Sequence, residues 1–225
     1  MHIPDGVLPM KVALAAYIPA MAGVAVSLRY LQQRDLPKIA VVTSAFFVAS
    51  LISVPMGPTS VHLLLPGIVG VLLGPAAFLS IAVGLILQCF LFQFGGITVL
   101  GVNALMMGVP ALACAGLFRL LQNGDRQRAV LGGALAGGLG TALAAVFLAF
   151  FLATAGENFF MVAKLALAAH VPVVIIEAMV TAAMVGFLYR VKPEMLSLPR
   201  RNDAPAEVAG QPGKKDSATG SESSS

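Results

Sequence analysis

The sequence predicts an all-α membrane protein: a bundle of seven transmembrane helices with its amino terminus outside and its carboxy terminus in the cytoplasm. Three observations carry that prediction. The 225 residues are 58% hydrophobic and only 11% charged, with a mean hydropathy of +0.91, whereas soluble domains carry roughly a quarter charged residues. Apolar runs approaching the ~20 residues that cross a hydrocarbon layer of about 30 Å recur between charged or Gly/Pro-rich breaks. The basic residues fall almost entirely into alternate connections.

The first run is Met10 to Leu31. A cleaved signal peptide is its rival reading, since Ala20 to Ala22 reads AMA. A signal peptide needs its basic stretch before the apolar run, and here Arg29 and Arg34 come after it. Ile39 to Val54 is the second run. The third, Val61 to Leu73, would reach only about 20 Å as a helix. The preceding Ser53 to Ser60, with Pro55, Gly57 and Pro58, is therefore expected to dip inward as a loop lining a cavity, where non-helical backbone is tolerated at membrane depth. Ala76 to Phe94, Leu100 to Leu121, Ala129 to Thr154 and Leu165 to Tyr189 complete the seven. Residues 1–196 are thus expected to form one membrane domain. Residues 197–225 are rich in Pro, Gly, Ser and charge and read as a disordered cytoplasmic tail.

Orientation follows from Lys and Arg retained on the cytoplasmic side. Arg29, Arg34 and Lys38 flank the first connection, Arg119, Arg126 and Arg128 come after the fifth run, and Arg190 and Lys192 come after the last. Only Lys11 and Lys164 fall on the other side. The net charge of +4 therefore reflects one-sided loops in contact with membrane lipid and not a nucleic-acid patch. Cys89 and Cys114 lie inside apolar runs and read as small buried hydrophobes, with soft metal ligation as the alternative. The same topology puts His2, His62 and His170 near the outer face.

The chain opens MHIPDG, and this leader has the donors of a metal chelate. A free Met1 amine has a pKa of about 8, the His2 peptide nitrogen is one that a bound metal can deprotonate, and the His2 ring offers Nδ1. Amine to amide closes a five-membered ring and amide to Nδ1 a six-membered one, giving three nitrogens in one plane. Planar nitrogen suits Ni(II) or Cu(II) and can be imposed on Co(II), whereas Zn(II) prefers a tetrahedron. His62 is the best-placed fourth donor. The plainer alternatives are a helix-start histidine bonded to backbone for His62 and a solvated terminal residue for His2. Pro4 and Gly6 favour a turn over a loose tail, and Asp5 is placed to brace it.

MHIPDGVLP, GPTSVHLLLPGIVGVLLGP, GGITVLGVNALMMG and HVPVVIIEAMVTAAMVGFLYRVKPEML together resemble the CbiM/NikM family, the membrane substrate-binding components of energy-coupling-factor importers for cobalt and nickel. The resemblance runs from Met1 to about Leu196. It implies seven helices and a metal held by the Met1 amine, the His2 backbone and ring nitrogens, and the ring of His62. It also implies a transmembrane coupling protein, two cytoplasmic ATPases and a small accessory membrane protein, in the inner (plasma) membrane of a prokaryote. The metal, Co2+ or Ni2+, is cargo, and no cofactor is implied. A segment fused after the seventh run is not expected, which mildly favours cobalt. No G-x-x-x-x-G-K-[ST] phosphate loop occurs in the chain, so a transport subunit without its own ATPase site is expected, and not an enzyme. LLLPG after His62 and Met106 in NALMMG depart from the family pattern, which touches only the residues supporting the ligands. Asn103 is a candidate for hydrogen bonding to the terminal segment or a ligand ring.

Glu177 is the one acidic residue deep in a run, and intramembrane carboxylates are costly and functional by default. Two readings stay open for it: structural hydrogen bonding, or proton coupling in a secondary metal transporter. His170 lies seven residues earlier on the same helical face and with it forms either a polar track or two separately satisfied groups. Gly133, Gly137, Thr141 and Ala145 form a small-residue stripe, suited to packing within the bundle or to docking the coupling protein. An intramembrane metalloenzyme is disfavoured, because no H-E-x-x-H pair is present.

Overall fold

The computed structural model describes residues 2–51, 53–56, 59–122, 125–156 and 159–196, with the backbone alone for 53–56 and 59–62. Met1, Gly57, Pro58 and the expected tail, 197–225, lie outside the described residues. In chain order the elements are α1 (Met10–Ala15), α2 (Tyr17–Arg29), α3 (Leu36–Leu51), β1 (Ser53–Met56), β2 (Thr59–His62), α4 (Pro66–Leu73), α5 (Ala77–Phe92), α6 (Leu100–Leu121), α7 (Arg126–Ala153) and α8 (Phe160–Val191). Single 3₁₀ turns occupy Gln33–Asp35, Gly74–Ala76 and Pro193–Leu196. Five stretches are long and apolar enough to cross a membrane: Met10–Arg29, Pro66–Phe92, Leu100–Leu121, Arg126–Ala153 and Phe160–Val191. The 16-residue α3 is shorter.

Two expectations need correction in the region before α4. In place of the loop expected over Ser53 to Ser60, the backbone forms an antiparallel hairpin that pairs Ser53 with His62, Val54 with Val61, Pro55 with Ser60 and Met56 with Thr59. It is the one exception to an all-α fold among the described residues. The β-branched Val54, Thr59 and Val61 favour extended backbone, and Pro55 removes a helical donor. The third helix also begins at Pro66, not Val61. Proline is preorganised for a first helical position, and Leu65 just before it is left-handed, with φ +54°. Such a conformation costs a non-glycine residue about 1–2 kcal/mol, so the surrounding contacts must hold it.

The eight residues of α4 are all buried and pack between α6 and α7. Backbones meet there at glycines. A methyl on Gly67 would stand 2.5 Å from the Gly137 Cα, and one on Gly70 would collide with the Ala111 carbonyl oxygen. The stripe on α7 is spent in the same way: side chains added at Gly133 or Gly137 would meet Val185, Thr181 and the Glu177 backbone of α8. This settles the stripe as packing inside the bundle, where close backbone approach supplies the van der Waals contact that holds helices together in lipid. Cys89 and Cys114 are buried free thiols, and Cys114 Sγ donates to the Ala136 carbonyl at 3.0 Å.

Polar links define the two ends of the bundle. At one end Ser27 Oγ donates to the Pro75 carbonyl at 2.7 Å, and Lys38 Nζ donates to the Met195 carbonyl at 2.7 Å. An added Cβ at Gly186 would lie 3.9 Å from the Arg126 guanidinium. The basic connections therefore gather at this end. The opposite end holds the start of the chain, the end of α5 and the start of α6. Between them Thr43 and Ser80 share a buried hydrogen bond of 2.7 Å, tying α3 to α5.

Candidate metal-binding site

The first residues are held by the loop between α5 and α6. The Asp5 amide donates to the Gly95 carbonyl at 3.0 Å, and Thr98 Oγ1 donates to Asp5 Oδ1 at 2.5 Å. Asn103, on the first turn of α6, treats residue 3 as a neighbouring strand would. The Ile3 amide donates to Asn103 Oδ1 at 3.0 Å, and Asn103 Nδ2 donates back to the Ile3 carbonyl at 3.2 Å. The Ile3 side chain is 1% exposed and packs in an apolar cluster with Val99, Val102 and Met106. Tyr17 closes the loop from below by donating its hydroxyl to the Ile97 carbonyl. Gly95 and Gly96 have φ of +81° and +141°, and a Cβ on Gly96 would overlap the Asp5 carboxyl group. The loop can approach the terminal segment only because it carries no side chain there.

His2 lies within this clamp. Its ring stacks on Phe94, with centroids 6.1 Å apart and planes 17° apart, and Phe92 continues the stack 5.9 Å beyond Phe94. The Gln88 side chain hydrogen-bonds the imidazole. Gln88 is fully buried, and its Nε2 donates to Ser50 Oγ, which donates to the Phe47 carbonyl at 2.8 Å. Burial pushes the His2 imidazole from 6.5 down to about 4, and the Gln88 bond opposes this only in part. The ring is therefore neutral near pH 7, and its nitrogen lone pair need not be freed of a proton before it binds a metal. Sequence reasoning misses Gln88. Its signal there is a single amide in the otherwise apolar LILQCFLF, a polar side chain at a depth where such groups mark function.

The structure brings His2, Asp5 and Asn103 together. Met1 and the His62 side chain lie outside the described residues. The His62 backbone ends β2 opposite Ser53, and the chain then passes through Leu64 and Leu65 into α4. Glu177 is fully buried on α8, and its Oε1 accepts from the Leu64 amide at 2.5 Å and the Leu65 amide at 2.8 Å. Leu65 is the N-cap of α4 and Leu64 the residue before it, so the carboxyl group sits at the positive end of the helix dipole and satisfies two buried amides at the strand-to-helix turn. Glu177 stands near the middle of the 32-residue α8. So α4 starts at mid-depth, and its eight residues cover about 12 Å to reach the end marked by Pro75. These two bonds give Glu177 Oε1 a structural hydrogen-bonding role. His170 Nδ1 lies 2.6 Å from the Ala166 carbonyl. Two turns, about 10 Å, separate it from Glu177, and no hydrogen bond joins the two among the described residues.

Replacing Asn103 with Leu is expected to leave the Ile3 N–H and C=O buried without partners, at about 1–3 kcal/mol each. Affinity for a metal held by the terminal segment should fall by roughly 10–100-fold, as when residues supporting ligands are removed. Helical circular dichroism should stay unchanged. Titration calorimetry beside the dichroism spectrum checks both.

Comparison with known proteins gives consistent matches. Residues 2–195 match the CbiM family, described as the cobalt uptake substrate-specific transmembrane region. A Haemophilus influenzae relative bearing a metal-transport name is 38% identical over 200 residues, spanning 88% of this chain and 97% of its own. The fused nickel transport protein NikMN of Rhodobacter capsulatus is 35% identical, over 92% of this chain and 67% of its own. A solved structure of a truncated transition metal transporter superposes with a TM-score of 0.66 at 24% identity, covering 85% of this chain and 99% of that one. That likeness establishes the fold.

Proposed function

The chain belongs to the CbiM family of cobalt uptake transmembrane proteins, and from that premise we propose that it captures a divalent transition metal at the outer face and delivers it inward as the substrate-specific subunit of an ATP-driven energy-coupling-factor importer. Co2+ is the first candidate cargo and Ni2+ the second. The observation that carries the reading is the clamp on the terminal segment. Asn103, Asp5, Thr98 and Gly95 hold residues 2–5 at one end of the bundle, with a neutral imidazole at its tip.

In this reading the Met1 amine, the His2 peptide nitrogen and His2 Nδ1 form three corners of a plane, and the His62 ring supplies the fourth. The clamp orders the segment around His2 before a metal arrives, so less entropy is lost on binding. A planar set favours Co2+ or Ni2+ over Zn2+, which prefers a tetrahedron. Asp5 and Asn103 act on the metal only by holding the segment. The chain crosses the membrane seven times: α3 adds one passage to the five long stretches, and Pro66–Phe92, divided by its 3₁₀ turn, supplies two, α4 and α5. The terminal segment faces outward and the basic end faces the cytoplasm. The membrane is the inner membrane of a prokaryote. ATP hydrolysis belongs to partners: a coupling protein, two ATPase subunits and a small accessory membrane protein.

Vesicles containing the full complex are expected to take up 57Co or 63Ni only with a competent ATPase. Uptake that persists with a disabled ATPase and depends on a proton gradient would replace this reading with a secondary carrier. His62→Ala is expected to weaken metal binding by roughly 100-fold or more, since losing a residue that only supports a ligand already costs about 10–100-fold. Unchanged affinity would place the fourth donor elsewhere.

A further inference from the structure

We propose that Glu177 is a positioning residue for the metal site: by binding the Leu64 and Leu65 amides it seats the hairpin strand that ends in His62. The proposal rests on the reading of His62 as a ligand.

Only one residue separates His62 from the first amide that Glu177 binds. The two bonds, at 2.5 and 2.8 Å, go to a single carboxylate oxygen, and a shared acceptor fixes both the position and the direction of the peptides between them. The segment is also forced: Leu65 sits at φ +54° and Pro66 comes directly after it, so the chain turns sharply from strand into helix. Leu64 and Leu65 are 1% and 8% exposed, and water is not there to replace the carboxylate if it is lost. The Glu177 main chain is packed tightly, because the α7 backbone at Gly137 approaches so closely that an added Cβ would lie 2.5 Å from the Glu177 carbonyl. The strand end is thus referenced to the α7–α8 pair and not to the β1 partner alone. Hairpin pairing fixes which residue faces which, while Glu177 fixes how deep the strand sits. In the reading of His62 as a ligand, that depth sets how far the strand end lies from the terminal segment.

The same contact joins the site to the far end of the bundle. From Glu177, α8 runs without a break to Val191, beside the basic connections.

The test is a double-mutant cycle on the purified full chain, read by Co2+ and Ni2+ calorimetry and by the visible absorption of the bound metal, which reports its coordination plane. Glu177→Ala is expected to lower affinity by about as much as His62→Ala and to change the absorption in the same way. The double variant should be no worse than His62→Ala alone, since residues acting through one contact are not additive. Glu177→Gln keeps an acceptor oxygen at the same place and is expected to recover most of the loss. It also serves as the decisive variant where Glu177→Ala does not fold. Additive losses, or a Glu177→Gln protein that folds but binds as poorly as His62→Ala, would overturn the positioning role. A null effect of His62→Ala alone would instead overturn the ligand reading, and this proposal with it.

Discussion

One residue added ahead of Met1 is expected to abolish tight binding of Co2+ and Ni2+, while an extension at the carboxy terminus leaves it unchanged. The addition turns the Met1 amine, a donor with a pKa of about 8, into an amide that binds metal only after losing a far more tightly held proton. The new amine lies one residue too far out, and the clamp prevents the segment from sliding to bring it back. A one-residue slip would break the Ile3 pairing with Asn103 and the Asp5 bonds to Gly95 and Thr98, and would pull the Ile3 side chain from its apolar cluster. Burying that side chain alone contributes about 1.5–3 kcal/mol. The expected loss is roughly 1000-fold or more, equivalent to about 4 kcal/mol. Calorimetry on the two extended proteins checks it, and equal affinity in both would remove the terminal amine from the site.

The second large effect is expected from Gly96→Ala. Its Cβ would overlap both Cγ and Oδ2 of Asp5, so the exposed Asp5 carboxyl group must rotate away, and φ +141° is a conformation that alanine avoids. The Asp5 side chain then loses its bond with Thr98, while the Asp5 amide keeps its bond to the Gly95 carbonyl. The terminal turn then holds its main-chain tie to the loop but loses its side-chain brace. Metal affinity is expected to drop by roughly 10–100-fold, as when a residue that supports ligands is lost, with the helical dichroism retained. Gly6→Ala is the control. Gly6 also has positive φ, +84°, but nothing lies within 4 Å of an added Cβ. It should cost only the backbone term of about 1 kcal/mol and a few-fold in affinity. Equal effects of the two substitutions would show that backbone strain, and not the Asp5 contact, governs the site.

The helices that the sequence locates best are those whose ends are marked by charge or by turn residues. Leu100 to Leu121 coincides with α6, and Ala129 to Thr154 falls within a few residues of α7, whose start is capped by Asp125 accepting from the Gln127 amide. The hairpin and the late start of α4 were not legible. Residues 53–65 are short, apolar and rich in proline, a pattern common to a loop, a strand and a frayed helix. Asn103 and Asp5 could be suspected as supports from their types. Gln88 and the partners of Glu177 could not, because their contacts cross 86 and more than 110 positions of sequence.

By itself the sequence determined that this chain lives in a membrane, where the long helices run, that its basic residues cluster in alternate connections, and which nitrogens at the chain start could make a planar chelate. These properties are local, or sums over local ones: hydropathy over a helix length, charge between runs, and ring size in a chelate. Only the tertiary structure decided that the α7 glycine stripe packs inside the bundle, that a glycine loop and one asparagine hold residues 2–5, and that a mid-membrane glutamate binds the amides at the start of a half-length helix beside His62. Each of those depends on which backbones come close to one another in space, and that is set by how the helices pack together.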